Sequence, residues 1–328
     1  MKNMKLSVLI TFIICLTAVA FTGVKKKSGS SDSDYMTIAE AMAALKVPEA
    51  AAKHVADQGT PTEIPAHYRP PYASIKPIKL FDNFYFVGTT IVGAFIIDSG
   101  DGLVMLDTGC GDEDVAMMVA DIKKLGLDPS KIKLIFISHE HFDHYGGVNY
   151  LKKNVCPDAK VAMSLVGWNL LQTVPSEWAY VGSRPESADI FLTDGMKIKL
   201  GNARIQVVAT PGHSPGCMSF IIPVTDNGTS HMVGIMGGSG VWPAQTEARL
   251  YKSSVEYFKA VASRAKCDVG LFIHSQESHY AALRIRKPVE PNPLVIGPDK
   301  FDTVYLQKYR DKYLQMLNSG QLPPYQPL

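Results

Sequence analysis

The sequence predicts an α+β fold in which helices cover two packed β-sheets. Three observations point there. From residue 80 onward, short β-branched and aromatic runs of three to eight residues recur between turn residues, as strands require. Longer stretches with helical spacing separate them at intervals, and no short repeat organises the chain. The 328 residues are 46% hydrophobic and 20% charged, enough apolar surface for one large core or two small ones. Collagen-like, coiled-coil and wholly disordered readings are excluded by the same numbers.

At the N-terminus Lys2 and Lys5 precede an uncharged run from Leu6 to Ala20 that closes on Ala18-Val19-Ala20, the small-x-small pattern a signal peptidase reads. Residues 1–20 are therefore expected to be a secretory signal, and the protein to be exported, periplasmic or extracellular. The run continues to Val24 before Lys25-Lys26-Lys27, and 19 residues suffice to cross a bilayer, so an uncleaved membrane anchor is the alternative. The net charge of +2 comes from this leader; its removal leaves 31 basic and 31 acidic residues. A neutral chain offers no basic stripe for nucleic acid. Its expected partner is a small-molecule substrate, membrane contact is limited to the leader, and no feature sets an oligomeric state.

Residues 21–70 read as a linker and N-terminal extension. Lys25 to Asp34 is polar and Ser-rich, as a flexible tether would be. Thr37 with Glu40 forms a capping-box pattern opening an Ala-rich helix that Pro48 interrupts, and 61–77 is proline-rich and expected to lie extended. Residues 71–328 form the main domain. Strands are expected at 84–87, 91–98, 102–107, 132–137, 160–163, 190–192, 198–200, 204–210, 218–224, 231–236 and 269–273. Helices are expected at 112–125, 147–153, 164–171, 246–264 and 301–317. Without the leader the cysteines are Cys110, Cys156, Cys217 and Cys267; none forms a CxxC pair, and most are expected to be free and buried.

The chemistry concentrates in Ser138-His139-Glu140-His141-Phe142-Asp143-His144-Tyr145-Gly146-Gly147, directly after an apolar strand. Isolated histidines such as His54, His67, His231 and His279 read as surface or packed residues. Three histidines and an aspartate within six residues, at the mouth of a buried strand, do not. Imidazole nitrogen and carboxylate oxygen are zinc ligands. The pattern is not the helical HExxH motif, because Asp143 stands where its second histidine would be. His213, in Thr210-Pro211-Gly212-His213-Ser214-Pro215-Gly216, and His274, after Val269 to Ile273, close their own strands in the same way.

His139-Glu140-His141-Phe142-Asp143-His144, with Leu106-Asp107-Thr108-Gly109 upstream and the Thr210 to Gly216 loop downstream, resembles the metallo-β-lactamase superfamily, and within it the subclass B3 enzymes. The resemblance covers roughly Pro71 to the last helix. It implies a four-layer αββα sandwich and two Zn2+ per chain, one held by His139, His141 and His213 and the other by Asp143, His144 and His274. It implies hydrolysis of a β-lactam amide by zinc-bound hydroxide, with Asp143 also orienting the nucleophile as a catalytic residue. Ser239 and Ser275 are the candidates for gripping a substrate carboxylate. Asp107 is expected to support the histidine loop by hydrogen bonding, and Cys217 to pack.

Departures from neighbouring families sharpen the comparison. Glyoxalase II, transfer-RNA 3′-processing nucleases and many lactonases carry an aspartate bridging both metals at the strand end matching residues 234–236 onward, where this chain runs into Gly237-Gly238-Ser239-Gly240. Flavo-diiron proteins have glutamate at the position of His141, and the B1 subclass a cysteine at the position of Ser239. Cys267 matches a cysteine disulfide-bonded in several B3 enzymes, yet no cysteine follows it here. The same fold hosts hydrolases of other amides, lactones and esters, and a binding module without catalysis is the reading from a different class.

Overall fold

The computed structural model describes residues 31–44, 62–64, 74–174, 179–180, 183–240 and 245–318. The expected leader, most of the linker, Pro48 and much of the proline-rich 61–77 segment lie outside the described residues.

Two sheets face each other. The first has seven strands in the order β1 (Ser74–Phe81), β2 (Phe84–Thr89), β3 (Gly93–Asp98), β4 (Leu103–Leu106), β5 (Ile132–Phe136), β6 (Lys160–Ser164) and β7 (Ile190–Leu192). It is antiparallel from β1 to β4 and parallel from β4 to β7. The second has five strands. Its order is β12 (Val269–Leu271), β11 (Thr229–Ile235), β10 (Met218–Asp226), β9 (Ala203–Ala209) and β8 (Lys197–Leu200), with only β11 and β12 parallel.

Apolar side chains from both inner faces fill the space between the sheets. Phe136 on β5 meets Phe220 on β10 edge to face, with ring centroids 5.6 Å apart. Helices α2 (Asp112–Lys124), α4 (Val148–Asn154) and α5 (Leu165–Thr173) cover the first sheet. The second is covered by α6 (Gln245–Ala265) and by a C-terminal run made of α8 (Pro298–Lys300), a π-helical stretch Phe301–Leu306 and α9 (Gln307–Asn318). Tyr251, Phe258, Phe301, Tyr305 and Tyr309 form a second core beneath them. The architecture is the αββα sandwich that the sequence predicts.

Three local findings revise the sequence reading. The end of the expected linker is docked: Asp32 pairs with Lys199 and Arg204, and Met36 bridges to Ile198 beside the edge strand β8. Helix α1 (Ile38–Ala44) then begins at the expected capping box, with Thr37 N–H donating to Glu40 Oε2 at 2.7 Å and Glu40 N–H to Thr37 Oγ1 at 3.3 Å. Strand β1 runs through Pro77, which the proline-rich reading had kept out of the sheet. β1 is an edge strand with a register shift between Ile75 and Ile78, so the missing N–H breaks no regular ladder. Helix α7 (Glu277–Arg284) was not expected; it is short and buries only Tyr280.

Candidate metal centre

Strand β5 lies between two parallel neighbours, which buries it and brings Ser138 and His139 out at its C-terminal end. Helix α3 (Phe142–Tyr145) starts immediately afterwards and turns Asp143 and His144 away from His141. Close backbone contact requires the two glycines that follow. A Cβ on Gly146 would lie 2.2 Å from the Cys110 carbonyl oxygen, and one on Gly147 would lie 2.4 Å from that of Thr108. Thr108 completes the joint: its N–H and hydroxyl both donate to the His144 carbonyl, at 2.7 and 3.0 Å.

The other two loops are tied to this one. Met218 N–H donates to the Ser138 carbonyl at 2.8 Å, linking β10 and the His213 loop to the His139 loop. Gly212 adopts φ +137° with its α-carbon against the Tyr251 backbone, a place no side chain could share. Gly93 N–H donates to the Ile273 carbonyl at 3.0 Å, setting the position of His274.

Among the described residues the donors form two compact groups, His139, His141 and His213 and His139, Asp143 and His144, and His274 approaches the second through Asp143. His139 Nε2 is 3.2 Å from His141 Nδ1 and 3.1 Å from His213 Nε2, and the three rings meet edge to face. Asp143 Oδ2 is 3.4 Å from His144 Nε2 and 3.7 Å from His274 Nε2. The His139 and His144 rings lie tilted at 45° with centroids 3.8 Å apart, so the groups adjoin. The far nitrogen of most rings is fixed. His144 Nδ1 donates to Asp107 Oδ2 at 2.8 Å, His274 Nδ1 to the Ile91 carbonyl at 2.7 Å and His213 Nδ1 to the Gly240 carbonyl at 3.0 Å. Each bond leaves the Nε2 lone pair facing the shared space, as metal-binding histidines require.

Electrostatics agree with a cation site. Burial, reinforced by the neighbouring histidines, holds His139 and His213 well below the ordinary imidazole range. Burial brings His141 down to about 4. His144 goes the other way: burial opposes its charge, but Asp143 and Asp107 raise it to about 10. Burial disfavours the Asp143 carboxylate too, yet His144, His274 and His141 more than offset it and lower its pKa. Asp143 Oδ1 and His144 Nε2 are buried without a hydrogen-bond partner, an arrangement that costs about 1–3 kcal/mol per group unless something else satisfies them. Lone pairs from imidazole and carboxylate, orphaned and converging, fit zinc.

Several supporting residues lie around the donors. Asp107, at φ +63°, accepts from Ser138 N–H at 2.7 Å, from Ser138 Oγ at 2.8 Å and from His144, the supporting position its place in the sequence suggested. Glu140 was not singled out by sequence reasoning. It is buried, and its carboxylate accepts from Ser214 Oγ and Gly216 N–H, both at 3.0 Å, joining the His139 and His213 loops. Its position between two ligands of the cluster was the only available signal.

Of the two expected substrate-gripping serines, Ser275 is 1% exposed; its hydroxyl donates to the Phe272 carbonyl and meets Tyr280 Oη at 2.8 Å. It anchors the His274 loop to α7 instead of presenting a group to a substrate. Ser239 is half-buried in the Gly-rich loop, next to the carbonyl that holds His213. The four cysteines are free and buried, and Cys217 packs behind His213.

This fold and site define a class, αββα sandwiches with a candidate metal centre at the strand ends. Residues 87–226 match the family model of the Metallo-beta-lactamase superfamily. Among solved structures it is similar to BJP-1, a subclass B3 metallo-beta-lactamase of Bradyrhizobium japonicum, with TM-score 0.64 and 27% identity over 76% of this chain and 96% of that one. It is equally similar in fold to a point mutant of the FEZ-1 metallo-beta-lactamase from Legionella gormanii, with TM-score 0.64 and 25% identity over 76% of this chain and 98% of that one. Curated relatives include Glyoxylase B2 of Dictyostelium discoideum, 32% identical over 34% of this chain and 37% of that protein. A Hydroxyacylglutathione hydrolase of Brucella anthropi is 30% identical over 34% and 35%. The chain thus spans about a third of the length of these two relatives.

Proposed function

We propose that this protein is an exported di-zinc hydrolase that opens the amide of a β-lactam. The reading rests on one observation: His139, His141 and His213 converge beside Asp143, His144 and His274, while the loop from Met236 to Gly240 brings no carboxylate between them. That all-histidine first set, without a bridging aspartate, is the donor arrangement of the B3 enzymes that the sequence resembles, and the similarity to BJP-1 supports it.

Two zinc ions held there would supply an ionised water at neutral pH and Lewis-acid polarisation of a carbonyl. The chain's own residues do the rest. His139, His141 and His213 would hold one ion by neutral imidazoles, with the ring of His213 oriented by the Gly240 carbonyl. Asp143, His144 and His274 would hold the other, and Asp143, whose Oδ1 is buried without a hydrogen-bond partner, would orient the nucleophile. Ser239, half-buried in the same Gly-rich loop as Gly240, is the residue assigned to bind the carboxylate of a substrate.

The similarity to Glyoxylase B2 and Hydroxyacylglutathione hydrolase favours a second reading, hydrolysis of a thioester, lactone or other ester at the same centre. A hydrolysis panel separates the two: a penicillin, a cephalosporin and a carbapenem beside a lactone, a thioester and a phosphodiester, each with and without added zinc. Zinc-dependent turnover of lactams supports the first reading; turnover of the lactone or thioester alone replaces it with the second. Export follows from the leader pattern and is tested by N-terminal sequencing of the mature protein, where a start at Phe21 is expected.

A further inference from the structure

Behind the Gly237 to Gly240 loop, which orients His213, and the loop that carries His274, one buried hydroxyl touches the strand ends from which both loops leave. Tyr305 lies in the π-helical stretch Phe301–Leu306, a widened turn of a kind often found at functional sites. Its Oη accepts from Met236 N–H at 2.9 Å and donates to the Leu271 carbonyl at 2.8 Å. Met236 is the residue after β11 and opens the Gly237 to Gly240 loop, whose last carbonyl orients His213. Leu271 ends β12, three residues before His274. The strands beneath are shaped to admit this helix. A Cβ on Gly270 would lie 2.2 Å from the Tyr305 ring, and one on Gly234 would lie 2.4 Å from Phe301. Both glycines are slots for the aromatic side chains, which seat the hydroxyl between the strand ends.

We propose that Tyr305 is a positioning residue for both halves of the metal centre, its hydroxyl fixing the distance between the loop that orients His213 and the loop that carries His274. The proposal rests on the metal-binding part of the proposed function and not on the identity of the substrate. Without the hydroxyl, the Met236 N–H and the Leu271 carbonyl lose this shared partner, and each loop gains freedom that zinc must remove on binding. Preorganisation is then lost at both ions while the ligands themselves remain.

The test compares wild type, Y305F and Y309F, each prepared metal-free. Zinc affinity is measured by competition with a chromophoric chelator, and melting is followed with and without zinc. Tyr309 Oη touches Tyr305 Oη at 3.2 Å but has no bond to either strand end, so Y309F serves as the control for disturbing the second core. Y305F is expected to weaken zinc binding by about ten- to a hundredfold, the range for residues that orient metal ligands. Its metal-free melting temperature stays near that of wild type, and Y309F retains wild-type zinc affinity.

Wild-type zinc affinity in Y305F overturns the proposal, as does an equal loss of melting temperature with and without zinc. A wild type that binds no zinc overturns the metal reading and this inference together; an indifferent Y305F overturns this inference alone. Should Y305F fail to fold, hydrogen exchange on the metal-free wild type decides. A protected Met236 amide supports the pre-set loop, and an amide exchanging at the unprotected rate refutes it.

Discussion

Replacing Asp107 by asparagine isolates what orients His144. Asparagine tolerates the left-handed φ of +63° as aspartate does, so the backbone is not the variable. The carboxylate accepts three hydrogen bonds: Ser138 N–H at Oδ1, and Ser138 Oγ and His144 Nδ1 at Oδ2. An amide oxygen can keep the first, which leaves an NH2 group 2.8 Å from His144 Nδ1, donor against donor. His144 is then driven to carry its proton on Nε2, the atom that faces Asp143 and that a metal would need. One hydrogen bond to a charged group is worth about 1.5–3 kcal/mol. Loss of such an orienting partner weakens metal binding by about 10–100-fold, or roughly 1.4–2.8 kcal/mol. The two estimates agree, so D107N is expected to weaken zinc binding at the Asp143, His144 and His274 set by that factor. Chelator competition on the metal-free protein measures it, with circular dichroism confirming the fold. Two equivalents of zinc bound at wild-type affinity would show that Asp107 does not control His144.

Other predictions address the donors, the Gly-rich loop and a buried acid. H141A and D143A are each expected to abolish hydrolysis and lower zinc content while circular dichroism stays near wild type, and chelation of wild type is expected to remove activity that added zinc restores. In G238A the new methyl would lie 2.4 Å from His213 Cβ and 2.8 Å from Cys217 Sγ. Overpacking of that kind costs about 1–3 kcal/mol, and thermal melting with zinc titration should show both lower stability and weaker binding. Asp114 is pushed above the ordinary carboxylate range by burial, despite accepting from Cys110 N–H at 3.0 Å. The folded state therefore holds its proton at pH values where the unfolded chain has released it, and stability falls as pH rises from about 3.8 through the folded value. Denaturant unfolding across that window should slope downward from Asp114 in wild type and flatten in D114N.

Much of the site was legible because its donors are local. His139, His141, Asp143 and His144 occupy a single strand-to-helix joint, so spacing nominated these four, while His213 and His274, each after an apolar run, were completed as donors by the resemblance to the metallo-β-lactamase superfamily. Long-range contacts were not legible in this way. Glu140 joins Ser214 and Gly216 across more than seventy residues, and nothing near it in the sequence distinguishes a buried crosslink from a solvated acid. Ser275 was misjudged because its neighbour His274 faces the site; adjacent residues point in different directions, and only the packing of Tyr280 shows that the hydroxyl turns inward. Strand β1 was hidden by Pro77, since local propensity carries no information on whether a strand lies at an edge. The helices were readable because their burial is periodic, as in α2, where Val115, Met118, Val119 and Ile122 line one face, and the central strands because their apolar runs are continuous, as in β2 and β4.

The substrate question falls on the part of the chain that the family match does not reach. Residues 87–226 include the His139 to His144 joint and His213, and they end before Gly237. His274, Ser239, the glycine strip and the Tyr305 helix all lie beyond. Similarity confined to the matched segment is therefore similarity in how His139, His141 and His213 converge and how Asp143 and His144 are presented, which hydrolases of different substrates can share. The C-terminal third supplies His274 and the loop in which a further carboxylate would have to sit. Here the backbone of Gly237 and Gly238 is pressed against the Met218 carbonyl and the His213 side chain, where a Cβ would lie 1.9 and 2.4 Å from its neighbours. Aspartate at either position would collide before it could reach a metal. G237D and G238D should thus fail to add a bridging carboxylate to the centre and should weaken zinc binding. A folded G238D variant that binds two zinc ions and gains thioester turnover would refute this steric account of the loop.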